Sequence, residues 1–324
     1  MEQRYFGYIP SPVDERDYNF ADIVGASDSK VELPEEFRLD FNFNLDEYDQ
    51  GQTNMCCAFA LSMAKQLMDK TDEKYSPLSI YGNRSVTDYP GEGLIIRQAA
   101  AHTVNEGICY KKDFPFLYEV PEAQKIFNTN KDALLPKMAE HKFKTYFAIN
   151  KEDVKRYIYT QKTPAIFAIP VYESFAYPDS TGKIKQNAGN FLGGHAVMCI
   201  GWTKDGEFII PNTWSTAYGD KGYCYYNEHL DIREIWGLTN TEVEKPKKDY
   251  TLYRVQIGAY SLKENADATA KVLLNNKISS IIKYSDTDKL YRVQVGAYKD
   301  ELNAYKMLVS ILRKGYKGYI VTEE

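Results

Sequence analysis

The 324-residue sequence predicts an α+β protein in two units: a body with a helical first half and an antiparallel β second half, then a small βαββαβ domain. Three observations lead there. In "CAFALSMAKQLMDK", Phe59, Met63, Ala64 and Met68 recur at three-and-four spacing, the period of a long buried helix. From about residue 164 the runs "PAIFAIPVY", "HAVMCIGW" and "GEFIIPNTW" are apolar, β-rich and separated by Gly, Asp and Asn. Beyond residue 250, "YRVQIGAY" at 253–260 returns as "YRVQVGAY" at 291–298, an offset of 38 residues.

In chain order, residues 1–31 hold turn chemistry ("YIPSPVDERDY") with little periodicity, and predict a strap lying on the domain that follows. The body covers 32–240. Its second helix is expected at about 95–106, closed by Gly107, and a cleft should separate the helical and β parts. The polar stretch "TNTEVEKPKKDY" contains Pro246 and predicts a linker at 241–250. In the last unit, 251–324, each repeat copy is a strand followed by a helix-forming run. Ser261 with Glu264 reads as a capping box for the first of these helices. Strands at "KISSIIKY" and "KGYIVTE" complete the ferredoxin-like split arrangement.

Composition narrows the function. Net charge is −5, yet residues from Tyr250 onward carry 12 Lys+Arg against 8 Asp+Glu, while the first 249 carry 28 against 37. A mildly basic module on an acidic body suggests two units with different partners, and no basic run approaches a nucleic-acid arm. The five cysteines (Cys56, Cys57, Cys109, Cys199, Cys224) include no metal-type spacing and make a disulfide framework improbable, so free thiols are expected and neither metal nor cofactor is. The polar start has no apolar run for a signal peptide, and no stretch reaches the roughly 18 apolar residues of a membrane span. The chain is expected to be made in the cytoplasm.

One constellation carries chemistry. A cysteine attacks well only as thiolate, which needs an imidazolium or a helix N-terminus nearby. Cys56 sits where the Gly-containing loop "DQGQTNM" turns into the buried helix. Of four histidines, only His195 heads an apolar strand after paired glycines, in "LGGHAVMCIGW". Asn212 could fix the imidazole tautomer, and Gln50 could donate to an oxyanion. Singly, each is more often a core or surface residue; their order, spacing and flanks agree.

"DQGQTNMC" followed by "AFA", "GGHAVMCIGW" and "PNTWSTAYGDKGY" resemble the three signature blocks of the papain-like cysteine peptidases, over about residues 30–240. His195 follows Cys56 by 139 residues and Asn212 by 156, as that resemblance requires. It implies the papain-like two-part fold, with Cys56 as nucleophile and Cys57 as core. It also implies His195 as base and then acid, Asn212 as its orienting partner and Trp214 as a shield for their bond. Gln50 and the Cys56 N–H would form the oxyanion hole, and Gly93 and Ala196 would be substrate-side positions. Thr53 stands where the family has a disulfide cysteine. The leader is shorter than the usual inhibitory propeptide and its Asp-x-Arg-Asp-Tyr pattern resembles that of bacterial and phage members, so an enzyme made active is expected.

The doubled "YRVQ[IV]GAY" resembles the SPOR domain, which binds peptidoglycan glycan strands. Strand alternation turns Val255, Ile257, Val293 and Val295 to the helices and puts Arg254, Gln256, Tyr260, Arg292, Gln294 and Tyr298 on the open face as candidate glycan contacts. Together the resemblances imply a cysteine hydrolase of amide bonds acting at the cell wall or extracellularly, cutting stem peptides or cross-bridges as a lysin. The rival readings are a wall-anchored protein endopeptidase, a non-catalytic peptidoglycan-binding protein and a small wall amidase.

Overall fold

The computed structural model describes residues 5–24, 31–84, 91–243 and 251–323. The helix that begins at the two cysteines, Cys56–Asp69, is buried over its whole length to Leu67, so its apolar surface is wider than the stripe read from sequence. Lys70 closes it in the left-handed conformation, donating its N–H to the Gln66 and Leu67 carbonyls. One polar side chain buried along it, Lys65, is satisfied by Asp69, Asn240 and the Lys142 carbonyl. The helix Ile96–Asn105 follows, with Gly107 at positive φ just beyond it.

Both helices pack on the first of two sheets. One runs Thr145–Ala148, Glu234–Thr239, Ala165–Tyr172, Phe191–Cys199, antiparallel throughout. The other runs Phe37–Arg38, Gly201–Trp202, Glu207–Pro211, Tyr223–Asn227, Lys183–Ile184, with its last pair parallel. Strands Phe37–Arg38 and Thr145–Ala148 come from the half expected to be helical. An 18-residue helix, Glu122–Ala139, was not foreseen from sequence: only Ala123, Phe127, Leu134 and Met138 are buried along it, and Pro136 interrupts its pattern.

The C-terminal unit has the expected order. Strands Leu252–Tyr260, Ile281–Ser285, Leu290–Tyr298 and Tyr319–Glu323 alternate with helices Lys263–Asn275 and Glu301–Arg313. The sheet is antiparallel, with the two repeat strands central. Val255, Val293 and Val295 pack with Ala266, Ala270, Leu273 and Ile311 in a core separate from that of the body. Two details differ from expectation. The first helix starts after Leu262 with no side-chain cap, so Ser261 lies one residue too early to close the proposed box. The second is capped by Asp300, whose carboxylate accepts from the Leu302 N–H at 2.8 Å.

The N-terminal strap runs across both units. Tyr8–Ile9 pairs in parallel with Leu94–Ile95. Further on, Asp14 bridges Ala297 at the end of a C-terminal-domain strand, with Ala297 N–H to Val13 O at 2.8 Å and Glu15 N–H to Ala297 O at 2.9 Å. The Glu15 carboxylate accepts from the Lys299 N–H and from Asn303. Phe20 then enters the core of the body against Phe147 and Tyr157. The linker expected at 241–250 lies largely outside the described residues, as does residue 324 at the end of the last unit.

Candidate active site

Cys56 is the first residue of its helix and Met55 provides no side-chain cap, so the free N–H groups and positive end of the dipole face the sulfur. The neighbouring sheet brings His195 opposite. The register places His195, midway along Phe191–Cys199, against Ile169, and the N–H of the next residue, Ala196, lies 3.5 Å from Cys56 Sγ. His195 Nε2 and Asn212 Oδ1 are 2.9 Å apart, and Asn212 Oδ1 also accepts from the Thr213 N–H. An amide oxygen can only accept, so Nε2 carries the proton. Nδ1 has no hydrogen-bond partner among the described residues, which leaves it for exchange with the Cys56 sulfur. Trp214 stacks on the imidazole, centroids 4.7 Å apart, and covers it.

Burial works to raise the Cys56 thiol, but the Cys57 and His195 side chains beside it and the Ala196 N–H outweigh it and hold the thiol well below the usual range. Cys57 goes the other way. Burial and the negative charge beside it push its thiol well up, and its Sγ–H donates to the Leu94 carbonyl at 3.3 Å. Two adjacent residues of one type are thus separated in role by environment. All five cysteines are buried, unbridged thiols.

Gln50 is fully buried. Its Oε1 accepts from Thr213 Oγ1 at 2.6 Å, which turns Nε2 toward the cleft. There Nε2 donates to Thr53 O at 2.8 Å and lies 3.4 Å from the backbone carbonyl of Tyr5, in the strap.

The cleft is occupied by the chain itself. Phe6 meets Trp214 edge-on at 6.1 Å and lies against Gly193. Gly7 threads between Asn54 and Gly93, and the Leu94 N–H donates to its carbonyl at 2.8 Å. A Cβ at Gly7 would stand 1.7 Å from Asn54 O and one at Gly93 2.3 Å from Gly7 O, so both glycines are required by this close approach. Tyr8 lies along Gly194 with its hydroxyl on Glu234. Cys56 and His195 are fully buried under this segment. The strap, expected to lie on the domain that follows, lies in its cleft, where residues 5–9 run past Gln50, Asn54 and Gly93.

The candidate glycan residues divide. Arg254, Gln256, Arg292 and Gln294 line one cavity of about 590 Å³ on the sheet face away from the helices. Gln294 Nε2 donates to Gln256 Oε1 and Gln256 Nε2 to the Tyr319 hydroxyl, while Arg254 reaches the Gly296 carbonyl. Tyr260 and Tyr298 are not with them. The pairing slips by one residue between Gln256 and Gly258, and again between Tyr253/Tyr298 and Val255/Val295, where Gly296 has positive φ. Each bulge flips the alternation beyond it. Tyr260 packs against the helix-side core with its hydroxyl 2.9 Å from Thr269, and Tyr298 is buried near Glu15.

Sequence reasoning did not foresee Phe6, Gly7 and Tyr8 in the cleft, nor Glu234 beside it. The run "FGYIP", a glycine flanked by aromatics ahead of a proline, was the available signal for an extended segment making a close backbone approach.

Among known families, the papain family cysteine protease model matches residues 48–245. The chain belongs to the papain family of cysteine proteases. The SPOR domain model matches residues 249–322, so a papain-like peptidase domain is followed by a SPOR domain. The crystal structure of xylellain, a cysteine protease from Xylella fastidiosa, aligns with a TM-score of 0.63 at 25% identity, over 75% of this chain and 99% of that one. An uncharacterized peptidase C1-like protein of Acanthamoeba polyphaga mimivirus is 26% identical over 68% of this chain and 80% of its own length. Cathepsin B-like cysteine proteinase 5 of Caenorhabditis elegans is 38% identical over 110 residues, 32% of this chain. That match spans 29% of the worm protein, and the corresponding match to cathepsin B-like cysteine proteinase 3 of Ostertagia ostertagi spans 44% of it.

Proposed function

We propose that this chain is a working cysteine endopeptidase that cuts stem peptides or cross-bridges of peptidoglycan and is held on the wall by its SPOR domain. The observation that carries the reading is the union, in one chain, of a buried Cys56–His195–Asn212 array with a module of a peptidoglycan-binding family. Once the strap has left the cleft, the Cys56 thiolate attacks an amide carbonyl. The oxygen takes up negative charge and receives hydrogen bonds from Gln50 Nε2 and the Cys56 N–H, donors already aimed at the site. His195 gives the proton from Nδ1 to the leaving amine while Asn212 holds Nε2–H, and a thioester remains on Cys56. Water, deprotonated by His195, then releases the acid and restores the thiolate. The Arg254, Gln256, Arg292 and Gln294 cavity offers amide and guanidinium groups to sugar hydroxyls.

A second reading, a protein endopeptidase that uses the wall as an anchor, is favoured by the relatives named as proteinases. Wild type and Cys56→Ala incubated with purified Gram-positive peptidoglycan separate the two. Loss of turbidity with release of amines by wild type alone supports the lysin. Intact wall with cleaved casein supports the anchored protease. If neither substrate is cut and an epoxide inhibitor of papain-type enzymes leaves Cys56 unlabelled, the chain is a non-catalytic wall binder.

A further inference from the structure

The two helices of the C-terminal unit, Lys263–Asn275 and Glu301–Arg313, are set 38 residues apart, like the repeat strands before them. Equivalent positions meet the sheet alike: Ala266 and Ala304 are buried, and so are Leu273 and Ile311. The outer faces differ. Glu264, Asp267, Lys271 and Leu274 on the first helix correspond to Leu302, Tyr305, Val309 and Leu312 on the second. Leu302, Tyr305 and Leu312 are 55%, 56% and 48% exposed. The fold accepts charge at three of these four places, so the apolar residues of the second helix are not needed to build the domain.

Their spacing of three, four and three is that of the a and d positions of a heptad, which makes them one stripe. With 3.6 residues per turn, the stripe is centred roughly 120° round the helix from Ala304 and Ile311, the residues turned to the sheet. Asn303, where Glu15 of the strap is bound, lies on the other flank. The sheet and the strap thus take two sides of the helix, and the stripe faces outward.

A stripe of this kind matches itself. Turned end for end against a second copy, it sets Leu302 on the partner's Leu312 and Tyr305 on the partner's Val309, each pair occurring twice about one two-fold axis. The ends then agree in charge. Glu301 in the first turn comes beside the partner's Arg313 in the last turn, and the helix dipoles oppose. With the helices pointing the same way, like charges would meet instead.

We propose that Leu302, Tyr305, Val309 and Leu312 form an interface at which the chain pairs with a second copy of itself, the two helices antiparallel. A helix of this length spans about 20 Å and offers less than the roughly 800 Å² per partner of a lasting complex, so the dissociation constant should be on the order of 10–100 µM. Chains crowded on one surface would pair more fully. The Arg254 and Gln256 cavity lies on the sheet face away from both helices, so a pair presents two such cavities. Pairing requires neither catalysis nor glycan.

Sedimentation equilibrium of the full chain, over concentrations that bracket that constant, tests the interface. Wild type should pass from monomer to dimer and no further, since a two-fold contact closes on itself. Tyr305→Lys with Leu312→Lys, both at exposed positions, should weaken the dimer at least tenfold while the Tm stays within about two degrees. Glu301→Arg alone should weaken it at least threefold. Adding Arg313→Glu should restore it to within twofold of wild type, because the reversed charges meet again across an antiparallel pair. A chain that stays monomeric throughout overturns the proposal, and if it sediments with anionic-lipid vesicles the stripe faces a membrane instead. A dimer that survives Tyr305→Lys with Leu312→Lys pairs elsewhere, which overturns it equally. A double swap no tighter than Glu301→Arg alone overturns the antiparallel arrangement.

Discussion

The peptidase cleft and the SPOR sheet face present a contrast within one chain. One is filled by the protein's own N-terminal segment and the other is left as a cavity of about 590 Å³. The same N-terminal segment makes the difference. Residues 5–9 lie on Gln50, Gly93 and Gly194, whereas residues 13–15 meet the SPOR domain at Ala297, Lys299 and Asn303, away from the Arg254 and Gln256 row. The proposed glycan face is therefore left open while the nucleophile is covered.

The largest effect should come from unseating the strap. Phe6→Ala combined with Tyr8→Ala removes the contacts to Trp214, Gly193, Gly194 and Glu234, and should speed epoxide labelling of Cys56 about tenfold or more, since apparent reactivity scales with the open fraction. An unchanged labelling rate would mean that the cleft opens freely without help, and the contrast between the two regions would dissolve. Next in size is the wall side. Arg292→Ala takes away a guanidinium paired with Asp288 at the cavity, and should lower retention on purified wall about fivefold relative to the rate on a soluble peptide. Equal loss of both would show that the domain's fold, not its face, had been damaged.

How much of this was legible in the sequence follows the range of the interactions. Cys56, His195 and Asn212 could be read because each is tied to a local device: a helix start, a strand after paired glycines, a turn rich in polar residues. The chemistry also constrains their types tightly. The two repeat strands could be read for the same reason, since period-two alternation is local. Tyr260 and Tyr298 were misplaced because alternation holds only while register holds, and single-residue bulges at 256–258 and near Gly296 invert it. The strap's course was out of reach. It is set by contacts between residues 5–20 and partners as distant as Glu234 and Ala297, which no local period encodes.

A smaller effect should follow from loosening the strap where it meets the SPOR domain. Glu15→Ala deletes the acceptor of the Lys299 N–H and Asn303 but leaves residues 5–9 untouched. Partly exposed polar contacts of this kind contribute about 1 kcal/mol or less, so labelling of Cys56 should rise about two- to threefold. If wall fragments bound to wild type reproduce that rise, the two regions communicate through this contact. If Glu15→Ala changes nothing, the strap's hold on the cleft is independent of the second domain.

The smallest predicted effect separates the regions by pH. Beside the cleft, the Tyr81 hydroxyl lies 2.8 Å from both Glu92 Oε2 and Glu119 Oε2 while accepting from the Gly93 N–H, and Glu119 also holds the Asn54 N–H. One hydroxyl hydrogen cannot serve two carboxylates, so a proton is shared between them. Burial, then the neighbouring Glu92, raises Glu119 to about 7. The folded state thus keeps a proton that the unfolded chain releases near its ordinary carboxylate value of about 4.5. The stability this lends is complete below that value and is lost as pH rises through about 7. At the sheet face, Arg292 holds Asp288 below its ordinary range, so that pair stays charged from pH 5 to 8. Glu119→Gln keeps an acceptor for Asn54 and removes the titration, so its Tm should fall less than that of wild type between pH 5 and 8, by a few degrees at most. Retention on the wall should stay level over the same interval. Parallel Tm curves for the two proteins would show that Glu119 is already ionised in the folded chain, and that the loops carrying Asn54 and Gly93 are held by hydrogen bonds indifferent to pH.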